Sequence, residues 1–344
     1  MSSPTLPTAS AFQVPLSILD LSPICEGSDA GQSFRNSLAL AQHGESLGYS
    51  RYWLAEHHGM PGIASAATST LLAFVGAGTK SIRIGAGGVM LPNHSPLVIA
   101  EQYGTLQALF PGRIDLGLGR APGSDGATAR ALRRDQHEAA ERFPQDVVEL
   151  MDYMSREPRQ RVLAVPGVGS EVPVWMLGSS TFGAQLAAHL GLPYAFASHF
   201  APQLLMPALQ LYREHFKPSG RPGALEQPHV MLGFNVFAAE TEGQAHLLAS
   251  SWQQAFVNLR SGRPGRLPPP RAGFLDTLGE PEGAMLDSVL SCAAIGTPDQ
   301  VRERVLDFAG RTGANELMIT SQVFDATARR QSYSLLAGAL RKNA

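Results

Sequence analysis

Short apolar, β-branched runs alternate along the chain with segments whose apolar residues recur at helical spacing. Eight runs read as strands: Leu16–Leu21, Arg51–Ala55, Ile82–Val89, Ile114–Leu118, Val174–Leu177, Tyr194–Ala197, Val230–Phe237 and Leu317–Thr320. The intervening segments carry helix punctuation. Ser95-Pro96 reads as a cap and a first-turn proline; Ile99, Tyr103 and Leu106 then share one face, and Pro111-Gly112 ends the run. Thr241-Glu242-Gly243-Gln244 and Thr297-Pro298-Asp299-Gln300 have capping-box spacing, and Val301, Val305 and Phe308 line one side after the second. Phe34, Leu38 and Ala41 do the same before Gly48. Strands alternating with one-sided helices predict a parallel sheet covered on its outer face. Eight of them suit a closed (β/α)8 TIM barrel of the α/β class better than an open sheet.

Two stretches break the rhythm and read as insertions after the fourth and seventh strands. Residues 120–172 are too long for a simple crossover and hold a charged helix around His137–Met154 before a Pro/Gly-rich return. Residues 260–297, with Arg263-Pro264-Gly265-Arg266 and Pro268-Pro269-Pro270, read as a long irregular segment and a lid. Residues 1–13, rich in Ser, Thr and Pro, read as a flexible tail ahead of one barrel domain over 14–344.

Composition narrows the function classes. Hydrophobic residues make up 44% of the 344 and charged ones 16%, enough to bury a large core. The formal net charge is -2 and no basic stripe occurs, which argues against nucleic acid as partner. Two cysteines, Cys25 and Cys292, form neither a disulfide framework nor a metal-type pair. With no apolar run near the roughly 18 to 20 residues of a membrane span and no secretory signal, the expected location is the cytoplasm.

The active site of such a barrel is built at the C-terminal ends of its strands. Residues just past the predicted strands include Glu56-His57-His58, Pro92-Asn93-His94, Gly119-Arg120, Gly178-Ser179-Ser180-Thr181 and Ser198-His199, so four of the ten histidines fall at one rim. Adjacent residues of an extended chain point to opposite sides, so His57 and His58 do not readily share a metal ion. Acid–base work by one imidazole is favoured over a structural pair. Small residues at Gly178-Ser179-Ser180 open a helix, a setting for a phosphate with Arg120 as counter-charge or for ordinary Ser/Thr capping. Gly85-Ala86-Gly87-Gly88 leaves bare backbone, either for a flat ring or for barrel closure. The spacing Gly117-x-Gly119-x-x-x-Gly123 is one residue too long for a dinucleotide fingerprint.

Taken as an ordered series, these residues resemble the luciferase-like flavin monooxygenases. The series runs from Trp53-Leu54-Ala55-Glu56-His57-His58-Gly59 through Gly87-Gly88-Val89-Met90-Leu91-Pro92-Asn93-His94-Ser95-Pro96 and Gly112-Arg113-Ile114-Asp115-Leu116-Gly117-Leu118-Gly119-Arg120. It ends with Gly178-Ser179-Ser180 and Gly191-Leu192-Pro193-Tyr194. The resemblance implies a barrel that binds FMN, often as a homodimer, using reduced flavin and O2 to oxidise a small organic substrate, with a separate flavin reductase as a partner. It implies a catalytic role for His57, phosphate contacts for Arg120, Ser179 and Ser180 beside Gly178, and a non-proline cis peptide at Gly87-Gly88 beside the flavin. Glu56, His58, His94 and His199 are expected to line the substrate pocket. Bacterial luciferase has a reactive cysteine where this chain has Gly119 and an acidic residue near Ser179, so a long-chain aldehyde substrate does not carry over. Two other readings stay open: a deazaflavin-dependent hydride-transfer enzyme, and a non-catalytic flavin-binding protein.

Overall fold

The computed structural model describes residues 14–120, 126–132, 136–220 and 224–341. The first half runs β1 (Leu16–Asp20), α1 (Ala30–Ser46), β2 (Arg51–Leu54), α2 (Thr68–Gly78), β3 (Arg83–Met90), α3 (Pro96–Leu109) and β4 (Ile114–Gly119). It continues with α4 (Gly126–Ala131), α5 (Gln136–Tyr153), β5 (Val174–Gly178), α6 (Thr181–Leu190), β6 (Tyr194–Phe196) and α7 (Leu205–His215). The last part is β7 (Val230–Ala238), α8 (Glu242–Arg260), α9 (Glu280–Leu290), β8 (Ala293–Gly296), α10 (Pro298–Thr312), β9 (Glu316–Thr320) and α11 (Ala326–Arg341). All strand pairs are parallel, and β6–β7, β7–β9 and β9–β1 pairings close the ring into a TIM barrel.

Strand residues alternate between two cores, as period-two geometry requires. Ile18, Tyr52, Leu54, Ile84, Leu116 and Leu232 face outward and pack with helix residues such as Leu72, Tyr103, Val305 and Leu336. Leu19, Trp53, Trp175, Met231 and Met318 point inward and fill the barrel. Trp53 and Trp175 meet edge to face at 5.3 Å. The neighbours explain the inward glycines: a Cβ on Gly85 would lie 2.5 Å from Asp115 O and 2.9 Å from Trp53 Nε1, and one on Gly87 would lie 2.9 Å from Leu19 Cδ1 and 3.0 Å from Trp53 Cε3. Large residues on β1 and β2 thus need small ones on β3.

The barrel floor is ionic. The Asp115 carboxylate, fully buried, accepts from Arg51 Nη1 at 2.8 Å, Arg83 Nη2 at 2.5 Å and Trp53 Nε1 at 3.2 Å. Glu316 accepts from Arg51 Nε at 3.0 Å and from the Ser17 hydroxyl. Every charge in this layer has an opposite charge in contact, the condition under which buried ions are tolerated.

The helix punctuation produced the expected starts. Thr241 Oγ1 accepts the Gln244 amide at 3.3 Å, and Gln300 Oε1 accepts the Thr297 amide at 2.8 Å. The charged helix of the first insertion is α5; Ala121–Asp125 and Arg133–Asp135 of that insertion lie outside the described residues, as does the expected tail. The second insertion differs from expectation. Residues 261–279 are irregular apart from a single turn at Leu275–Thr277, but the rest contains α9, whose Leu286 and Val289 bury against Phe237 and Trp252, and a further strand, β8. The strand is Ala293-Ala294-Ile295-Gly296, pairing with Asn235–Ala238 of β7. Alanine and glycine are poor strand formers, so propensity gives no signal there. No helix among the described residues is long and apolar enough to cross a membrane.

Candidate active site

The C-terminal ends of the strands open into a cavity of about 1060 Å³. Its wall includes His57, Gly87, Gly88, Arg120, Gly178, Ser179, Ser180 and His199, residues brought together from β2, β3, β4, β5 and β6. Gly87-Gly88 is a cis peptide. The glycines at 87 and 88 serve packing as well as the cavity, since a Cβ on Gly88 would come within 2.7 Å of Gly117 O.

At one end of the cavity stands the N-terminus of α6. Ser180 is its N-cap, and the side chain makes no capping hydrogen bond, so routine Ser/Thr capping does not account for this segment. The loop is anchored from behind, because the Tyr194 hydroxyl donates to Ser180 O at 3.1 Å and the Ala197 amide to Gly178 O at 2.9 Å. The Arg120 guanidinium lies 3.9 Å from the centroid of the Phe182 ring, two residues into the helix. A guanidinium and the positive end of a helix dipole therefore converge on one spot.

His57 follows Ala55 on the inward side of the chain. Burial pushes its imidazole down to about 4, with Glu56 pulling it up and His58 pushing it further down. Its Nδ1 is buried without a hydrogen-bond partner. His199 sits across the mouth after β6; burial, and then His57, bring it down to about 4 as well, and its Nδ1 is likewise unpartnered. Both rings are neutral at physiological pH. The His199 backbone is pinned by Asn235 Nδ2, which donates to its carbonyl at 2.7 Å, while the Ser198 hydroxyl donates to Gly233 O at 2.6 Å.

Glu56, His58 and His94 do not join this wall, contrary to expectation. Glu56 is buried on the opposite side of the chain from His57, and its Oε1 accepts from His58 Nε2 at 2.9 Å and His94 Nε2 at 2.7 Å. Burial alone would raise the Glu56 carboxyl, but these two hydrogen bonds hold it below its ordinary value. The three ligand atoms lie within 4.8 Å of one another, close enough for a metal ion, a proximity not evident from the spacing in sequence. Hydrogen bonding within the trio accounts for the arrangement.

The sequence profile of the luciferase-like monooxygenases matches residues 14–316. The chain belongs to that family. A luciferase-like monooxygenase of Escherichia coli is 52% identical over 323 residues, covering 94% of this chain and 96% of the relative. The N-acetyl-S-alkylcysteine monooxygenase of Bacillus subtilis is 33% identical, covering 94% and 98%. Among solved structures, apo-MsnO8 superposes with a TM-score of 0.83 at 33% identity, covering 95% of this chain and 98% of that one. The oxygenating constituent of 3,6-diketocamphane monooxygenase from Pseudomonas putida, in complex with FMN, shares the fold with a TM-score of 0.72 at 16% identity over 95% and 98%. So does an F420-dependent secondary alcohol dehydrogenase, with 0.69 at 13% over 96% and 100%.

The cavity of this luciferase-like monooxygenase has a far wall that motif reading did not find. Trp252, Phe256 and Leu259 of α8 line it, with Met60, Ile63 and Leu267. The first three stand at helical i, i+4, i+7 spacing, a visible signal that reads equally well as ordinary core. Leu267 is held in place by backbone pairing: its amide donates to Ile24 O, and its carbonyl accepts from the Glu26 amide, each at 2.9 Å.

Proposed function

We propose that the protein is an FMN-dependent monooxygenase that uses reduced flavin and O2 to oxidise a small organic substrate. One observation carries the reading: the uncapped N-terminus of α6, with Arg120 over Phe182, opens into the same cavity as His57. Unpaired helix N–H groups, small residues and a guanidinium are the donor set that suits a mononucleotide phosphate. Gly178, Ser179, Ser180 and Arg120 would hold that phosphate. Gly87 and Gly88 present bare backbone to the cavity, and a Cβ at Gly119 would meet only Val89 O, at 3.9 Å, so the residues present fit the group. The B. subtilis relative supports the reading by its name, as a monooxygenase matched over nearly its whole length.

Bound FMN in its reduced form supplies the electrons that activate O2. The chain supplies the rest. His57, a neutral imidazole on the cavity wall, is the group placed to accept or return a proton through its ring. The apolar wall of α8 and the segment 264–267 keep bulk water from the reacting atoms. A separate flavin reductase, a homodimeric assembly and a cytoplasmic location belong to the same proposal.

The test follows labelled dioxygen. With reduced FMN, a reductase and a panel of small ketones and thioethers, the label is expected in an organic product. Label-free hydride transfer supported by a reduced deazaflavin in place of FMN would replace this reading with the F420-type one. Tight FMN binding with no turnover of any substrate or reductant would point to a flavin-binding protein.

A further inference from the structure

The parallel ladder between β2 and β3 ends at the pair Leu54 and Ala86. Two pieces of the cavity wall lie past that point: His57 on one segment, and Gly87, Gly88 and Met90 on the other. A side-chain tie joins the two segments there. Glu56 Oε1 accepts from His94 Nε2 at 2.7 Å, and the same oxygen accepts from His58 Nε2 at 2.9 Å. His94 closes the turn Leu91–Asn93 that follows β3, its amide donating to Leu91 O at 2.9 Å. The tie thus runs from the two residues flanking His57 to the segment that continues from Gly87-Gly88. Burial, and then the Glu56 charge, push the Tyr103 hydroxyl well above its ordinary value, so α3 stands beside the buried carboxylate.

We propose that Glu56, together with His58 and His94, is a positioning residue for His57: the trio pins the backbone on both sides of that imidazole and fixes it relative to Gly87-Gly88. The inference rests on the reading above in which His57 handles a proton, and it adds residues that act through His57 without lining the cavity. Along an extended chain residues 56 and 58 share a face and residue 57 takes the other. Holding both flanking side chains on the far face therefore directs His57 into the cavity. The His57 ring has no comparable tether of its own, since its Nδ1 has no hydrogen-bond partner. Its aim depends on the backbone that carries it, and hydrogen bonds to an ionised carboxylate are the stronger kind for holding that backbone. The charges that reach the ring are those of Glu56, His58 and His199.

The experiment compares the full-length native protein with His94→Ala, Glu56→Ala and Glu56→Gln. His94→Ala cuts the tie at a partly exposed position, whereas Glu56→Gln removes the charge and keeps an acceptor oxygen. Imidazole NMR of the FMN-free proteins at neutral pH follows His57, with His229 at the barrel floor, edge-on to Trp175, as the reporter of general structure. In His94→Ala and Glu56→Ala the His57 signals are expected to shift or broaden while those of His229 stay, and Glu56→Gln is expected to bring them back toward native. In oxygen-dependent turnover His94→Ala should lower kcat by about 10- to 100-fold, the scale of a misplaced reacting group, with KM and FMN affinity within about threefold. Glu56→Gln should recover most of the loss seen in Glu56→Ala. Unmoved His57 signals in His94→Ala overturn the proposal. So does movement of His57 and His229 together, or a Glu56→Gln as damaging as Glu56→Ala. A stoichiometric transition metal removed by a chelator would also overturn it, by making the trio a metal site. The NMR arm needs no flavin: a His57 ring freed in His94→Ala, with no FMN-dependent turnover of the native protein, removes the flavin reading alone. FMN-dependent turnover undiminished in His94→Ala removes only the positioning role.

Discussion

The imidazole of His199 occupies the space that a side chain on Gly233 would need: a Cβ there would lie 2.0 Å from His199 Nδ1. Gly233 is an inward position of β7, the register partner of Met318 on β9, so the glycine admits the ring into the barrel mouth. Gly233→Ala is therefore expected to fold, at a cost of about 1–3 kcal/mol for overpacking, while forcing His199 to a new position. A crystal structure or imidazole NMR spectrum of the variant checks this. An unmoved ring means that β7 yields instead and that Gly233 has no part in placing His199.

His57→Ala should lower oxygen-dependent turnover by about 10²–10⁴-fold, the usual contribution of a positioned acid or base. FMN affinity should change little, because the residues proposed to hold its phosphate, Arg120, Gly178, Ser179 and Ser180, are elsewhere on the cavity wall. Unchanged kinetics would remove His57 from the mechanism.

Arg120→Ala separates phosphate from ring recognition. A lost charge-assisted hydrogen bond of about 1.5–3 kcal/mol corresponds to roughly 10- to 150-fold weaker FMN binding. Riboflavin, lacking the phosphate, should bind the variant and the native protein alike. Equal losses for both ligands would mean that the guanidinium only packs on Phe182.

Two buried neutral histidines make stability depend on pH. Both fall from the ordinary 6.5 to about 4 in the folded protein, so the unfolded chain binds more protons between those values. Stability is full above pH 6.5 and declines as pH falls towards 4, by about 2 kcal/mol per histidine at pH 5. Denaturant titrations at pH 7 and pH 5 measure the loss, and a His57→Gln, His199→Gln double variant should flatten it. A loss as large in the double variant would assign the effect to other groups.

Periodicity and turn chemistry made the barrel legible, because one-sided helices between apolar runs leave few alternatives. The small residues at the start of α6 were legible too: Gly178, Ser179 and Ser180 are contiguous, and the structure places them on the cavity wall as residues opening a helix. Three features were not. The strand at Ala293–Gly296 has one β-branched residue, Ile295, among alanines and a glycine, too weak a signal to mark it before it pairs with β7. Glu56, His58 and His94 read as rim residues, but alternation along the chain turns Glu56 away from His57, and only folding brings His94 to it. The α8 wall is invisible because Trp252 and Phe256 look the same whether they face a core or a cavity.

The barrel floor carries a prediction independent of function. Asp115→Ala leaves Arg51 and Arg83 sharing a layer without their common carboxylate, and should cost about 3–5 kcal/mol. Chemical denaturation measures it, and a loss below about 1 kcal/mol, the scale of a surface ion pair, would mean that the layer is effectively solvated.

The central claim is that one end of the cavity is a phosphate site for a flavin mononucleotide, and a paired titration of the native protein with FMN and riboflavin, followed by flavin fluorescence, tests it most directly. FMN should bind at least about 30-fold more tightly, the worth of roughly 2 kcal/mol of charge-assisted contacts to the phosphate. Equal affinities for the two, or no binding of either, would contradict the account.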